Sequence, residues 1–140
     1  MEISQRIYLV GIGGIGMSAL AQLLAHQGKS VSGSDREESP TSAMLAKREI
    51  KVWIGHDQCN IPADTELVVY SDAIPADNAE RVRAREMGIK QISYFEMLGI
   101  ASEPGMTIAV AGTHGKTTTT GMLASILKAA GKEPTAVVGS

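Results

Sequence analysis

The sequence predicts an α/β fold: a Rossmann-like parallel sheet with flanking helices, followed by one further strand, a phosphate-binding loop and a helix. Three observations lead to this prediction. Along the first hundred residues, short apolar runs alternate with helical patterns, as in chains that build a parallel sheet with crossover helices. A Gly-x-Gly-x-x-Gly sequence directly follows the first apolar run, and a Gly-Lys-Thr sequence follows a later one.

The first five apolar runs predict the strands of the sheet, and turn residues separate each run from a helical pattern. The first helix is expected between the glycine-rich sequence and Gly28. Right-handed crossovers then join the strands into one sheet. The strands are expected at 6–10, 30–34, 51–54, 67–70 and 90–93, and the later helices at 40–49, 77–87 and 94–100.

The composition is that of a globular chain about one domain long, with 140 residues, of which 44% are hydrophobic and 20% charged. A formal net charge of -2 argues against a nucleic-acid partner. The single Cys59 excludes an internal disulfide and a cysteine-based zinc cluster. No stretch approaches the roughly 18 apolar residues of a membrane span, and residues 1–6 lack an apolar core, so we expect a cytoplasmic protein with no membrane partner.

The glycine-rich sequence lies where a strand runs into a helix, which is the setting of a dinucleotide-type phosphate loop. The first glycine permits a tight turn, the second lets the backbone approach a diphosphate, and the third lets helix and strand pack closely. The second strand ends in Asp35, where such folds place a carboxylate against a ribose. The predicted substrate contacts are Gly11, Ile12, Gly13, Gly14, Ile15, Gly16 and Asp35. The alternative is that these glycines serve packing alone.

A second candidate contact region, 71–74, follows the fourth strand. Small and hydroxyl residues at the carboxyl end of a parallel strand lie where ligands bind in open α/β sheets. We therefore add Ser71, Ala73 and Ile74 to the predicted substrate contacts. An ordinary helix cap formed by Ser71 or Asp72 is an equal alternative.

Two further features favour a structural role over a chemical one. His56 is expected to cap or pack rather than contact a ligand, because no residue near it in the sequence would tune it. The helix at 77–87 is polar, and its arginines alternate with acidic residues, which is typical of a solvated face. The residues of that face are Glu80, Arg81, Arg83, Arg85 and Glu86.

The later loop has the form Gly-x-x-Gly-Lys-Thr, preceded by an expected strand at 107–111 and followed by a helical pattern. Its glycines let backbone amides converge on phosphate, Lys116 can reach the β and γ phosphates, and the Thr117 hydroxyl can hold Mg²⁺. The predicted ATP contacts are Gly112, Thr113, His114, Gly115, Lys116, Thr117 and Thr118, with Lys116 as the catalytic residue and Thr117 as the metal ligand. The alternative is a turn that caps a helix and leaves Lys116 in solvent, and His114 is either a packing residue or a chemical one.

The turn residues at 101–105 predict a boundary between two parts of the chain. Residues 1–105 would form the Rossmann-like domain, and residues 106–140 the start of a truncated ATPase domain. The strand and helix after the boundary cannot bury their apolar faces alone. We therefore expect Ile108, Val110, Leu123 and Ile126 to pack on the first domain or a neighbouring chain, or to remain mobile.

Taken together, these motifs resemble those of the Mur ligases of peptidoglycan synthesis, and the resemblance covers the entire chain. It rests on the glycine loop at 11–18, on Gly33-Ser34-Asp35 and Gly55-His56, on the region at 71–74, and on Gly-Thr-His-Gly-Lys-Thr-Thr at 112–118. One departure is Asp72, where the family more often has serine. A carboxylate there would repel a diphosphate, so a phosphate contact by this residue is not expected.

The resemblance implies a ligase that uses ATP and Mg²⁺ to join L-alanine to UDP-N-acetylmuramate through an acyl phosphate. The first domain would hold the UDP-sugar, Lys116 would neutralise charge on the transferred phosphoryl group, and Thr117 would ligate Mg²⁺. Family members are about three times this length, so the chain is expected to bind the UDP-sugar without catalysing the reaction. Two alternatives remain: a non-catalytic nucleotide-sensing module and a nicotinamide-binding oxidoreductase domain.

Overall fold

The computed structural model describes residues 4–138 and contains the five predicted strands. The helices α2 and α3 are shorter than predicted by two residues or more, because their ends form turns. The elements in chain order are β1 (Arg6–Val10), α1 (Ile15–His26), β2 (Ser30–Asp35), α2 (Pro40–Lys47), β3 (Lys51–Ile54), a 3₁₀ turn (Gln58–Asn60), β4 (Leu67–Tyr70), α3 (Ala79–Glu86), β5 (Lys90–Ser93), α4 (Tyr94–Ser102) and α5 (Lys116–Ala129).

The strands form one parallel sheet, as the alternation of strands and helices predicted, and their order is β3-β2-β1-β4-β5. In the register, Val10 at the end of β1 lies beside Ser34 of β2 and Tyr70 of β4. The carboxyl ends of the three central strands therefore meet at one edge of the sheet. The loops that follow these strands are brought together there.

The sheet separates two apolar clusters, because successive side chains of a strand point to opposite faces. On β1, Ile7 and Leu9 belong to the larger cluster, which α1, α2 and α4 cover. Tyr8 and Val10 belong to the smaller cluster, which includes Ala84 of α3. These four side chains are at most 2% exposed, as expected for a central parallel strand, and the remaining residue of β1, Arg6, is exposed.

Side-chain caps set where three of the helices begin. Ser39 precedes α2 and Ser93 precedes α4, and each forms a reciprocal capping box with the residue three positions later. The hydrogen bond from the Ser93 amide lowers the pKa of Glu96. Asn78 accepts the amides of Glu80 and Arg81, so α3 begins at Ala79. The region 71–74 thus does not cap a helix, which removes the structural alternative for Ser71 and Asp72.

The predicted strand at 107–111 is wrong: these residues pair with no strand in the described part of the chain. An apolar run becomes a strand only when a neighbouring strand takes its backbone hydrogen bonds. The helix α5 does form, but it has no buried residue. Ile108 is 54% and Ile126 is 62% exposed, so these two side chains do not pack on the first domain.

We predict that Gly33→Ala destabilises the fold by about 3 kcal/mol, as expected for forced overpacking. A Cβ at this position on β2 would lie 2.3 Å from the Leu9 carbonyl oxygen and 2.9 Å from Ile12 Cδ1. Urea unfolding followed by circular dichroism measures the change. The control is Gly99→Ala in α4, where an added Cβ has nothing within 4 Å, so stability should be unchanged or slightly higher. An equal midpoint for Gly33→Ala and the wild type would contradict the close packing.

Candidate nucleotide-binding site

The glycine loop and the region 71–74 meet between β1 and β4, where the strand order reverses. Open α/β sheets bind ligands at this switch point. The Ser71 amide donates to the Val10 carbonyl at 3.2 Å. A Cβ added at Gly11 would lie 3.4 Å from Ser71 Cβ and from Ile74 Cδ1. The structure thus brings together two segments that are sixty residues apart in the chain.

The start of the glycine loop is anchored to β2. The amides of Gly11 and Ile12 both donate to the Ser34 carbonyl at 2.9 Å, and Gly11 has a φ of 84°. This positive φ is the reason for glycine at the first position. The Ile12 side chain is fully buried, so it anchors the loop in the core and cannot reach a ligand.

Asp35 lies directly against the second glycine of the loop. The Gly13 amide donates to Asp35 Oδ2 at 2.8 Å. A Cβ at Gly13 would lie 2.6 Å from the same oxygen, which is too close for any real side chain. Any other residue at this position would force the Asp35 carboxylate away from the Gly13 amide.

The end of the loop presents unpaired donors. The Ser18 amide donates to the Gly14 carbonyl, and the preceding amides of Ile15, Gly16 and Met17 have no partner within the described residues. Such first-turn amides, with the positive end of the helix dipole, favour an anion. At Gly16 an added Cβ would lie 2.8 Å from the Tyr94 ring, so glycine allows this ring to pack closely on the helix start. A diphosphate would therefore meet the start of α1 rather than the Gly11 and Ile12 amides.

The region 71–74 is a tight turn held by α3. The Ile74 amide donates to the Ser71 carbonyl at 2.9 Å, and Arg81 donates to the Ile74 carbonyl at 3.0 Å. The Arg81 guanidinium also lies over the Tyr70 ring at 3.6 Å. The prediction of a solvated Arg81 is wrong, because this side chain holds the turn. Asp72 and Ala73 are exposed.

Glu80 was also expected on the solvated face of α3, but its side chain is completely buried. It accepts hydrogen bonds from the Tyr8 hydroxyl at 3.0 Å, the Ser34 hydroxyl at 2.5 Å and Asn60 Nδ2 at 2.8 Å. A buried carboxylate needs such donors, since its unpaired charge would be costly. Its position four residues before buried Ala84 is the helical spacing that would have placed it on the inner face.

His56 also contacts this buried group. Its Nδ1 lies 3.3 Å from Glu80 Oε2 and 3.1 Å from Ser34 Oγ, and its side chain is 18% exposed. The expected packing role agrees with this burial. The expectation that no residue would tune this ring was wrong. Glu80, which comes from a distant part of the chain, lies directly against it.

The later loop has the backbone form of an anion site but stands in solvent. Gly115 caps α5 with a φ of 76°, and the amides of Lys116, Thr117 and Thr118 have no partner within residues 4–138. Thr113 Oγ1 lies 3.2 Å from His114 Nδ1. Residues 111–119 are all exposed. The structure does not bring these residues into contact with the glycine loop.

The described residues contain neither a candidate metal site nor a helix that could span a membrane. No three side chains of His, Cys, Asp or Glu within 4–138 lie close enough together to hold a metal ion. In the same range, no helix has the length and apolar character needed to cross a bilayer.

The fold and its loops define a class, the open α/β proteins whose candidate ligand site lies at the carboxyl edge of a parallel sheet. A family model described as "Mur ligase family, catalytic domain" matches residues 6–104. The chain therefore belongs to the Mur ligase family, as its motifs predicted.

Individual relatives agree with this assignment. The chain is 48% identical over 136 residues to a UDP-N-acetylmuramate–L-alanine ligase of Caldicellulosiruptor saccharolyticus, covering 96% of this chain and 30% of that protein. The crystal structure of a UDP-N-acetylmuramate–alanine ligase from Thermotoga maritima is 39% identical, with a TM-score of 0.87, over 94% of this chain and 31% of that one. A murein peptide ligase of Psychrobacter arcticus is 34% identical, with a TM-score of 0.84, over 91% and 27%. The chain thus spans about 30% of the length of these relatives.

We predict that Tyr8→Phe lowers stability by about 1–2 kcal/mol at neutral pH, because Glu80 loses a buried donor. Burial raises the pKa of Tyr8 above its ordinary value of 10.0 in the folded protein. The unfolded chain then releases this proton first, so wild-type stability is complete below about pH 10 and falls above it by up to about 1.4 kcal/mol per pH unit. Urea unfolding from pH 8 to 11 should show a smaller fall for the variant. Parallel curves for the two proteins would contradict this assignment.

Proposed function

We propose that this chain is the N-terminal part of an ATP-dependent ligase that joins L-alanine to UDP-N-acetylmuramate in peptidoglycan synthesis. The observation that carries the proposal is the meeting of the glycine loop, Asp35 and the region 71–74 at the switch point of the sheet. The relatives that bear this enzyme name support the choice of substrates. Residues 1–105 would bind the UDP-sugar, and residues 106–140 would begin the ATP-binding domain.

The proposed role of the first site is to hold the diphosphate and ribose of UDP. The amides of residues 15–17 offer donors to the diphosphate, and no positive side chain is required for this. Asp35 Oδ2 is bonded to Gly13, which leaves the other carboxylate oxygen for a ribose hydroxyl. Ser71, Ala73 and Ile74 would form the opposite wall of the crevice. Exposed Asp72 would stay away from the diphosphate.

The proposed role of the second loop is to hold ATP and Mg²⁺. The left-handed Gly115 and the unpaired amides at the start of α5 fit a phosphate group. Lys116 would contact the phosphates, Thr117 would ligate Mg²⁺, and residues 112–114 and Thr118 would line the loop. When bound, ATP supplies the phosphoryl group that activates the carboxylate of the sugar. Because residues 111–119 are exposed, this loop would form one wall of a larger site.

We predict that the chain binds UDP-N-acetylmuramate and that Gly13→Val abolishes this binding. A side chain at position 13 would collide with Asp35, which lies 2.6 Å from the added Cβ, and would displace both the loop and the ribose contact. Isothermal titration calorimetry measures the affinity, with NADH as the competing ligand. NADH should bind poorly, since the chain is expected to recognise a uridine nucleotide.

The matched control for this titration is Gly99→Ala, a substitution at an open position of α4. It should leave the affinity for UDP-N-acetylmuramate at the wild-type value. Tight binding of NADH without binding of the UDP-sugar would overturn the proposal. Unchanged affinity of Gly13→Val would show that the ligand lies elsewhere.

We predict that the 140-residue chain has no ligase activity and binds ATP·Mg²⁺ weakly or not at all. The loop at 112–118 is exposed, and residues 4–138 contain no cluster of carboxylates for the metal. Phosphoryl transfer depends on such positioning and charge stabilisation. Calorimetry with ATP·Mg²⁺ and an assay of phosphate release test the two statements. Micromolar ATP binding that disappears in Lys116→Ala would contradict the argument, because the loop alone would then be sufficient.

A further inference from the structure

The side chains clustered around Glu80 have no role in the proposed diphosphate site. The cluster consists of Tyr8, Ser34, His56, Asn60 and Glu80, and it joins α3 to the middle of β1, the end of β2 and the segment after β3. In this cluster the His56 ring bonds only through Nδ1.

The bonding pattern sets the protonation of this histidine ring. An ionised carboxylate only accepts hydrogen bonds, and the Ser34 hydroxyl gives its proton to Glu80 Oε2. The hydrogen between His56 and these two oxygens must therefore be on Nδ1. In the neutral ring, Nε2 is then an acceptor without a partner among the described residues.

The cluster also places His56 close to the predicted ribose contact. The Gly55 amide donates to the Asp35 carbonyl at 2.7 Å, and Asn60 donates to the Gly55 carbonyl at 2.8 Å. The Ser34 carbonyl in turn holds the Gly11 and Ile12 amides. His56 therefore lies at the same edge of the sheet as the glycine loop, one strand beyond Asp35.

A nucleotide lies across this edge in a definite order. The phosphates meet the loop after β1 and the ribose meets the carboxylate after β2. A base bound in this order would extend towards the end of β3, which His56 follows. Uracil N3–H and the ribose hydroxyls are hydrogen-bond donors. A neutral Nε2 can accept a hydrogen bond from any of them.

We propose that His56 Nε2 accepts a hydrogen bond from the uridine of the bound UDP-sugar, and that Glu80 is the positioning residue that fixes the ring and its tautomer. The inference rests on the proposed function, since it assigns a further contact to the same nucleotide. It gives the buried carboxylate of α3 a role in recognition, through His56, without contact between Glu80 and the ligand.

The binding test is calorimetry with UDP and CDP on the wild type, His56→Ala and the control His26→Ala, whose histidine is exposed in the last turn of α1. His56→Ala should bind UDP about tenfold more weakly, the effect of one lost hydrogen bond of about 1.4 kcal/mol. His26→Ala should match the wild type. If the donor is uracil N3–H, which cytosine lacks, the wild type prefers UDP over CDP and His56→Ala loses the preference. If the donor is a ribose hydroxyl, His56→Ala should bind UDP and CDP more weakly by the same factor.

The positioning role has its own readout in Glu80→Gln. Long-range ¹H–¹⁵N spectra of the histidines should show His56 protonated on Nδ1 in the wild type. In Glu80→Gln the amide can donate to the ring, so the proton should move to Nε2 while UDP binding weakens and the fold is retained. If Glu80→Gln does not fold, the Nδ1 proton in the wild type and the affinity of His56→Ala still decide the matter.

The outcomes separate this inference from the proposed function. Wild-type UDP binding with equal affinity in His56→Ala overturns the role of His56 and leaves the proposed function intact. A proton on Nε2 in the wild type overturns the role of Glu80. Failure of the wild type to bind either UDP or UDP-N-acetylmuramate overturns both proposals.

Discussion

The candidate site depends on Ser34 at the end of β2, because this residue bonds in two directions. Its carbonyl accepts the Gly11 and Ile12 amides, which fixes the start of the glycine loop. Its hydroxyl donates to Glu80, which fixes α3 and the loop after β3. The position of the glycine loop and that of His56 are therefore linked through one buried residue of the sheet.

This arrangement requires a charge in the interior, and the fold meets its cost with hydrogen bonds. An unpaired buried carboxylate would be strongly destabilising. Glu80 avoids this destabilisation because hydrogen-bond donors on β1, on β2, at His56 and in the 3₁₀ turn converge on its carboxylate. No buried side-chain nitrogen or oxygen in the described residues lacks a partner. Removal of any one donor would thus affect several elements together.

The two parts of the chain differ in how they bury apolar surface. The buried apolar side chains of the described residues all lie between Ile7 and Ala101. In contrast, α5 has apolar residues at helical spacing but none of them is buried, and Met122 is 61% exposed. A single helix gains most of its stability from packing. The loop at 112–118 before α5 is therefore held by local geometry alone, whereas the glycine loop is held by the core.

The sequence by itself determined the fold class, all five strands of the sheet, the two glycine-rich loops and the family. These features depend on local patterns: buried parallel strands are continuous apolar runs, and phosphate loops have glycines at fixed spacing. Even the turn at Gly11 could be predicted, because glycine is the residue that readily adopts the positive φ of such a turn.

Only the tertiary structure decided which residues act together. Glu80 and Arg81 belong to a polar helix whose arginines predicted a solvated face, yet one is buried under β1 and β2 and the other holds the turn at 71–74. The apolar run at 107–111 predicted a strand, but a strand forms only where a partner strand takes its hydrogen bonds. His56 lies against the carboxylate of Glu80, which is 24 residues away in the sequence. Contacts of this kind depend on the packing of distant segments, so local sequence patterns do not identify the residues that meet.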